Sequence, residues 1–166
     1  WSESHTYFDI AGDIKNFINV NNIKKVCLLG HSMGGKAVML FDLLYPNLAS
    51  ELIIVDIAPV NYSSAFRDYL RILSLIDVDK FKTRNQIDQK ISNEIKDANI
   101  RSFLLQNIRI NEEGVLNWRI NIGALINNSS EISDFPELNI VSRTKTLFLY
   151  GSKSEYSVYS HISKRL

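Results

Sequence analysis

The chain has 166 residues, 45% hydrophobic and 22% charged, with 19 basic residues against 18 acidic ones and a net charge of +1. That length and balance fit one ordinary globular domain with a real core. They argue against a nucleic-acid binder, which usually carries a basic stripe, and no apolar run approaches the roughly 18 residues of a membrane span.

Residues 5–20 carry Phe8, Ile10, Ile14, Phe17 and Ile18 at helical spacing and predict an amphipathic helix. Asn21-Asn22 breaks it. Residues 24–29, with Val26-Cys27-Leu28-Leu29, predict a strand of the buried type. Cys27, the single cysteine, is expected there as a buried structural thiol. Lys36 to Tyr45 predicts a helix stopped by Pro46, with Lys36 on its surface. Leu52 to Ile57 is beta-branched and apolar, a second strand ended by Pro59. This alternation is the signature of an α/β protein, a parallel sheet with crossover helices.

From Asn61 to Pro136 the pattern changes. Residues 64–76, 84–98 and 99–108 predict helices. Arg109-Ile110-Asn111 and Val115 to Arg119 predict a short hairpin around Glu113-Gly114. No buried-type strand is expected in this stretch. Residues 61–136 therefore read as a helical cap inserted into a core made of 1–60 and 137–166. Thr146 to Tyr150 gives one more strand, ending at Gly151. Three parallel strands are fewer than the five or so of a doubly wound domain. The first residue is Trp1, not Met, so the chain is expected to be truncated at both ends.

Between the first strand and the helix after it lies Gly30-His31-Ser32-Met33-Gly34. Composition alone produces G-x-S-x-G in about one chain of this length in twenty. A strand before it and a helix after it are the context that makes it a nucleophile elbow. The serine then sits at the tip of a strained turn with its hydroxyl in the open. Gly30 and Gly34 are expected to be small because side chains there would collide with neighbouring backbone. The following helix aims free amides and its positive end at the serine. The plain alternative is an ordinary turn serine.

The elbow with its Gly35-Lys36 extension, Val55-Asp56-Ile57-Ala58-Pro59-Val60, Phe103-Leu104-Leu105-Gln106-Asn107, Trp118-Arg119-Ile120-Asn121 and Leu147-Phe148-Leu149-Tyr150-Gly151 together resemble the alpha/beta-hydrolase family. Within it the chain is similar to the branch of mitochondrial abhydrolase proteins, fungal ethanol acetyltransferases and bacterial short-chain esterases. The resemblance implies an alpha/beta-hydrolase fold with a helical cap. It implies Ser32 as nucleophile and the Met33 amide as an oxyanion-hole donor. It also implies Asp56, at the carboxyl end of the second strand, as the triad acid. Glu155, beside Ser154 at the commoner acid position after Gly151, is the alternative acid. The plain alternative for Asp56 is a helix cap or turn residue before Pro59.

The triad order Ser, acid, His leaves the base as the difficulty. His31 lies inside the elbow, His5 precedes the serine, and His161 reads as the start of a further helix. The triad histidine is expected beyond Leu166, and a second oxyanion loop upstream of Trp1. No metal-ligand spacing and no phosphate-binding glycine loop is present, so no metal and no cofactor are expected. The implied activity is a serine hydrolase cleaving carboxylic esters or thioesters through an acyl-enzyme, with the fragment alone inactive. Alternatives are an alcohol O-acetyltransferase using acetyl-CoA and ethanol, and a non-catalytic truncated homologue. The expected partner is a small acyl ester or acyl thioester, not nucleic acid. The resemblance implies a mitochondrial location, with a cytoplasmic one as the alternative.

Overall fold

The computed structural model describes residues 2–62, 65–154 and 156. In chain order its elements are α1 (Tyr7–Val20), β1 (Val26–His31), α2 (Met33–Leu44), β2 (Ala49–Val55), α3 (Ala65–Ser74), α4 (Arg84–Ile91), α5 (Ala98–Leu105), β3 (Ile108–Ile110), β4 (Leu116–Trp118), α6 (Ile122–Asn127), α7 (Ser129–Ser133) and β5 (Lys145–Leu149). A short 3-10 turn at Val78–Lys80 follows α3. The chain divides into two compact units. One comprises Ser4–Ser63 with the chain from Ser130; the other comprises Ser64–Ser129 with the residues up to Glu3.

In the first unit the three strands form a parallel sheet in the order β1-β2-β5. The register aligns Gly30 with Ile54 and Ile54 with Phe148. It also aligns His31, Val55 and Leu149, so the three carboxyl ends finish level. α1 starts on a capping box: the Asp9 amide donates to the Thr6 hydroxyl, and the Thr6 amide donates to the Asp9 carboxylate at 2.8 Å. Hydrogen bonds from Ser4 and then Thr6 hold the Asp9 carboxyl below the usual carboxylate range.

α2 is the crossover between β1 and β2, and it is buried from Gly35 to Asp42. A helix apolar nearly all round belongs inside a core. Ala37, Leu40 and Phe41 of α2, Ala11 and Ile18 of α1, and Leu52 and Ile54 of β2 make that core. Asp42 is the acidic exception on α2. Its carboxylate accepts hydrogen bonds from the hydroxyls of Ser142 and Thr144, which ties the helix to the segment entering β5. Buried charge is tolerated when it is hydrogen-bonded in this way.

Cys27 is exposed, contrary to the expectation of a buried thiol. Strand alternation explains the difference. Val26 and Leu28 face the core, whereas Cys27 and Leu29 point to the opposite face, where Leu29 is 62% exposed. The continuous apolar run was consistent with two buried faces, and only one is covered by the described residues.

The second unit holds α3 to α6 and the β3–β4 hairpin. The predicted helix over 84–98 is shorter: α4 begins on a Thr83–Gln86 capping box and ends at Ile91. Asp97 stands in extended backbone and accepts from the amides of Asn99 and Ile100, so it opens a new helix, α5, and cannot lie inside one. α5 ends at Leu105, short of the predicted 108, because Ile108 enters β3. β3 and β4 pair antiparallel, with Ile108 opposite Trp118. The turn between them uses Gly114 at φ +79°, a conformation that favours glycine. The Asn111 side chain accepts from the amides of Glu113 and Val115 and closes that turn. Arg101 joins α5 to α4 by a 2.7 Å ion pair with Asp88 and a hydrogen bond to the Ile95 carbonyl. Among the described residues no helix is long and apolar enough to cross a membrane.

Candidate active site

Ser32 occupies the single residue between β1 and α2, at φ +51° and ψ −121°. Non-glycine residues rarely adopt positive φ, at a cost of about 1–3 kcal/mol. The Ser32 amide donates to the Val55 carbonyl at 3.0 Å, which fixes the turn to the end of β2. The Ser32 carbonyl accepts from the Gly35 amide at 2.9 Å and starts α2. Met33 is the first residue of that helix, where amides have no intrahelical acceptor.

The glycines divide differently from the sequence expectation. A side chain at Gly30 would come within 2.6 Å of the Gly35 nitrogen and closer still to the Gly34 carbonyl. Gly34 has open space around it, contrary to expectation. The second tight position is Gly35, where an added Cβ would meet Ile57 at 2.5 Å. The clash at Gly30 is against the backbone of Gly34, so only one member of that pair needs to be small. Gly30→Ala is accordingly expected to cost about 3 kcal/mol, at the upper end of overpacking penalties. Gly34→Ala is expected to stay within about 0.5 kcal/mol. Thermal or denaturant unfolding of the two variants checks both.

Asp56 follows β2 at the level of Ser32, also in the left-handed region, at φ +55°. Its amide donates to the Leu149 carbonyl at 2.7 Å. Its carboxylate accepts from the Gly151 amide at 3.3 Å. Both half-buried residues thus stand at carboxyl ends of parallel strands, the usual ligand edge of such sheets. The end of β5, which precedes the alternative acid, is bonded directly to Asp56. Glu155 and His161 lie outside the described residues. His31 is exposed at the end of β1, and His5 lies ahead of α1.

Lys36 is not on the helix surface as expected; it is only 2% exposed. Its ammonium donates to the carbonyls of Ser133 at 2.8 Å and Asp134 at 2.9 Å. It also lies 5.0 Å from the Tyr62 ring centre. Burial pushes its pKa down to about 8, against the opposing charge of Asp134. Sequence reasoning missed it, although its place in a helix apolar all round was a usable signal. Among the described residues no group of three or more His, Cys, Asp or Glu is arranged to hold a metal ion.

A solved marine microorganism esterase is similar over 98% of this chain and 65% of its own, at 32% identity and a TM-score of 0.90. The chain belongs to the alpha/beta-hydrolase family. No protein-family profile matches it. This hydrolase-family chain is also 32% identical to the sn-1-specific diacylglycerol lipase ABHD11 of Danio rerio, over 91% of its residues and 49% of that protein. It is 27% identical to ethanol acetyltransferase 1 of Hanseniaspora uvarum, over 90% of its residues and 52% of that enzyme. It therefore spans about half the length of the curated relatives it matches.

Proposed function

We propose that the whole protein is a serine hydrolase that cleaves carboxylic esters, acyl thioesters among them, through an acyl-enzyme on Ser32. The observation that carries the reading is the strained backbone of Ser32 between β1 and α2. That conformation presents a hydroxyl above the sheet edge at a helix N-terminus. In the proposed mechanism the Ser32 hydroxyl attacks the acyl carbonyl while a histidine outside the described residues takes its proton. The Met33 amide stabilises the oxyanion. The histidine then gives its proton to the departing alcohol or thiol. Water, deprotonated by the same histidine, attacks the acyl-serine and releases the acid. Asp56 orients the histidine and stabilises its charged form. Residues 61–136 are read as a helical cap insertion in this hydrolase core.

Acyl transfer to an alcohol is the second reading, favoured by the similarity to an ethanol acetyltransferase. It uses the same acyl-enzyme with ethanol in place of water. The test is to treat full-length protein with a fluorophosphonate probe, then assay it with short-chain nitrophenyl esters and with acetyl-CoA plus ethanol. Probe labelling with ester hydrolysis supports the hydrolase. Ethyl acetate formed faster than acetate supports transfer. A folded protein that neither labels nor turns over either substrate refutes both.

A further inference from the structure

Lys36 is expensive to keep where it is. A charged side chain in a core costs stability unless it is fully hydrogen-bonded, and an apolar residue of similar volume often serves stability as well or better. Its hydrogen bonds, however, link the Ser32 elbow to the loop that follows Asp56. The Lys36 amide bonds the Ser32 carbonyl at 3.3 Å, in the first turn of the elbow helix. The Lys36 ammonium bonds the Ser133 carbonyl, and that same oxygen accepts the Tyr62 amide at 3.0 Å. The Tyr62 hydroxyl in turn accepts the Ala58 amide at 3.0 Å, two residues beyond Asp56. The Tyr62 ring also faces the ammonium, so a cation–π attraction adds to the clamp.

We infer that Lys36 is a positioning residue of the hydrolase site, holding the loop that follows Asp56 in fixed relation to the Ser32 elbow. The inference rests on the Ser32–Asp56 reading above. The ionisable groups facing the ammonium are Tyr7 from α1, at 5.9 Å from ring centre to Nζ, Tyr62 from the loop after β2, and Asp134 after α7. Burial pushes both phenols above their ordinary range, so neither tyrosine supplies a counter-charge near neutral pH. Asp134 is the only anion among them. Among these described groups the Lys36 proton is therefore the one that titrates in the weakly alkaline range, and hydrogen bonds from a charged donor are about twice as strong as neutral ones.

The experiment compares full-length wild type, Lys36→Met and Lys36→Arg in ester hydrolysis across neutral and alkaline pH. Hydrogen exchange at the Ala58 and Tyr62 amides and a melting curve accompany each. In Lys36→Met, kcat is expected to fall by about 10–100-fold with KM changed less than about threefold, the signature of misplacement and not of lost binding. Exchange at Ala58 and Tyr62 is expected to quicken. Wild-type kcat is expected to decline above pH about 8 as the ammonium loses its proton. Lys36→Arg stays charged throughout, so it should recover most of kcat and shift that limb upward. If Lys36→Met does not fold, the shift of the limb in Lys36→Arg decides alone. Lys36→Met within about twofold of wild-type kcat, with an unchanged alkaline limb, overturns the inference while leaving the hydrolase intact. Wild type without Ser32-dependent turnover removes the hydrolase reading and this inference together.

Discussion

Ser32→Ala is expected to abolish probe labelling and to lower kcat of the full-length protein by roughly 10⁴- to 10⁶-fold, the range seen when a catalytic serine is removed. The backbone of the elbow separates this loss from unfolding. Alanine inherits the same unfavourable φ of +51°, so the strain is neither added nor relieved. The hydrogen bonds that hold the turn run through the Ser32 amide and carbonyl, which alanine retains. Stability should therefore change by no more than about 1 kcal/mol. Intact-mass measurement after probe treatment, beside a melting curve, gives both readouts. A folded Ser32→Ala protein that still labels and turns over ester would place the nucleophile elsewhere.

Asp56→Asn is expected to lower kcat by about 10³- to 10⁴-fold with little change in KM. Asparagine is among the residues that tolerate the left-handed region, so φ of +55° is kept. Its side-chain oxygen can still accept from the Gly151 amide. What is lost is the negative charge that would stabilise a protonated histidine, and with it the preferred tautomer. Steady-state kinetics of Asp56→Asn beside Glu155→Gln assigns the acid. If Asp56→Asn keeps more than about a tenth of wild-type kcat and Glu155→Gln does not, the acid is Glu155.

Much of this arrangement is legible in the residues. The apolar runs around Val26 and Leu52, each followed by a breaker, define β1 and β2 because strand burial leaves an uninterrupted signal. The elbow is legible because a tight strand-to-helix turn permits few residue types. Other features depend on tertiary neighbours that no local pattern encodes. Whether Cys27 is buried depends on what covers the second face of β1. Whether Gly34 or Gly35 is confined depends on where Ile57 lies. The break at 92–97 was hidden because Asp97 caps a helix, and a short polar stretch reads much like a helix surface. Lys36 was misread because a lone lysine usually marks solvent. The correct inference needed the whole of α2: a helix with no polar face has no surface on which to place a charge.

The backbone bonds at the strand ends carry a further meaning. Ser32 hangs from a carbonyl of β2, and Asp56 hangs from a carbonyl of β5. Each of the two proposed catalytic positions is therefore anchored by the strand next door and not by its own loop. The long stretch between Val60 and Pro136 interrupts the sequence but not this series of anchors. Neither anchor uses a residue of Ser64–Ser129, so that stretch can change in length without removing a backbone bond that holds Ser32 or Asp56.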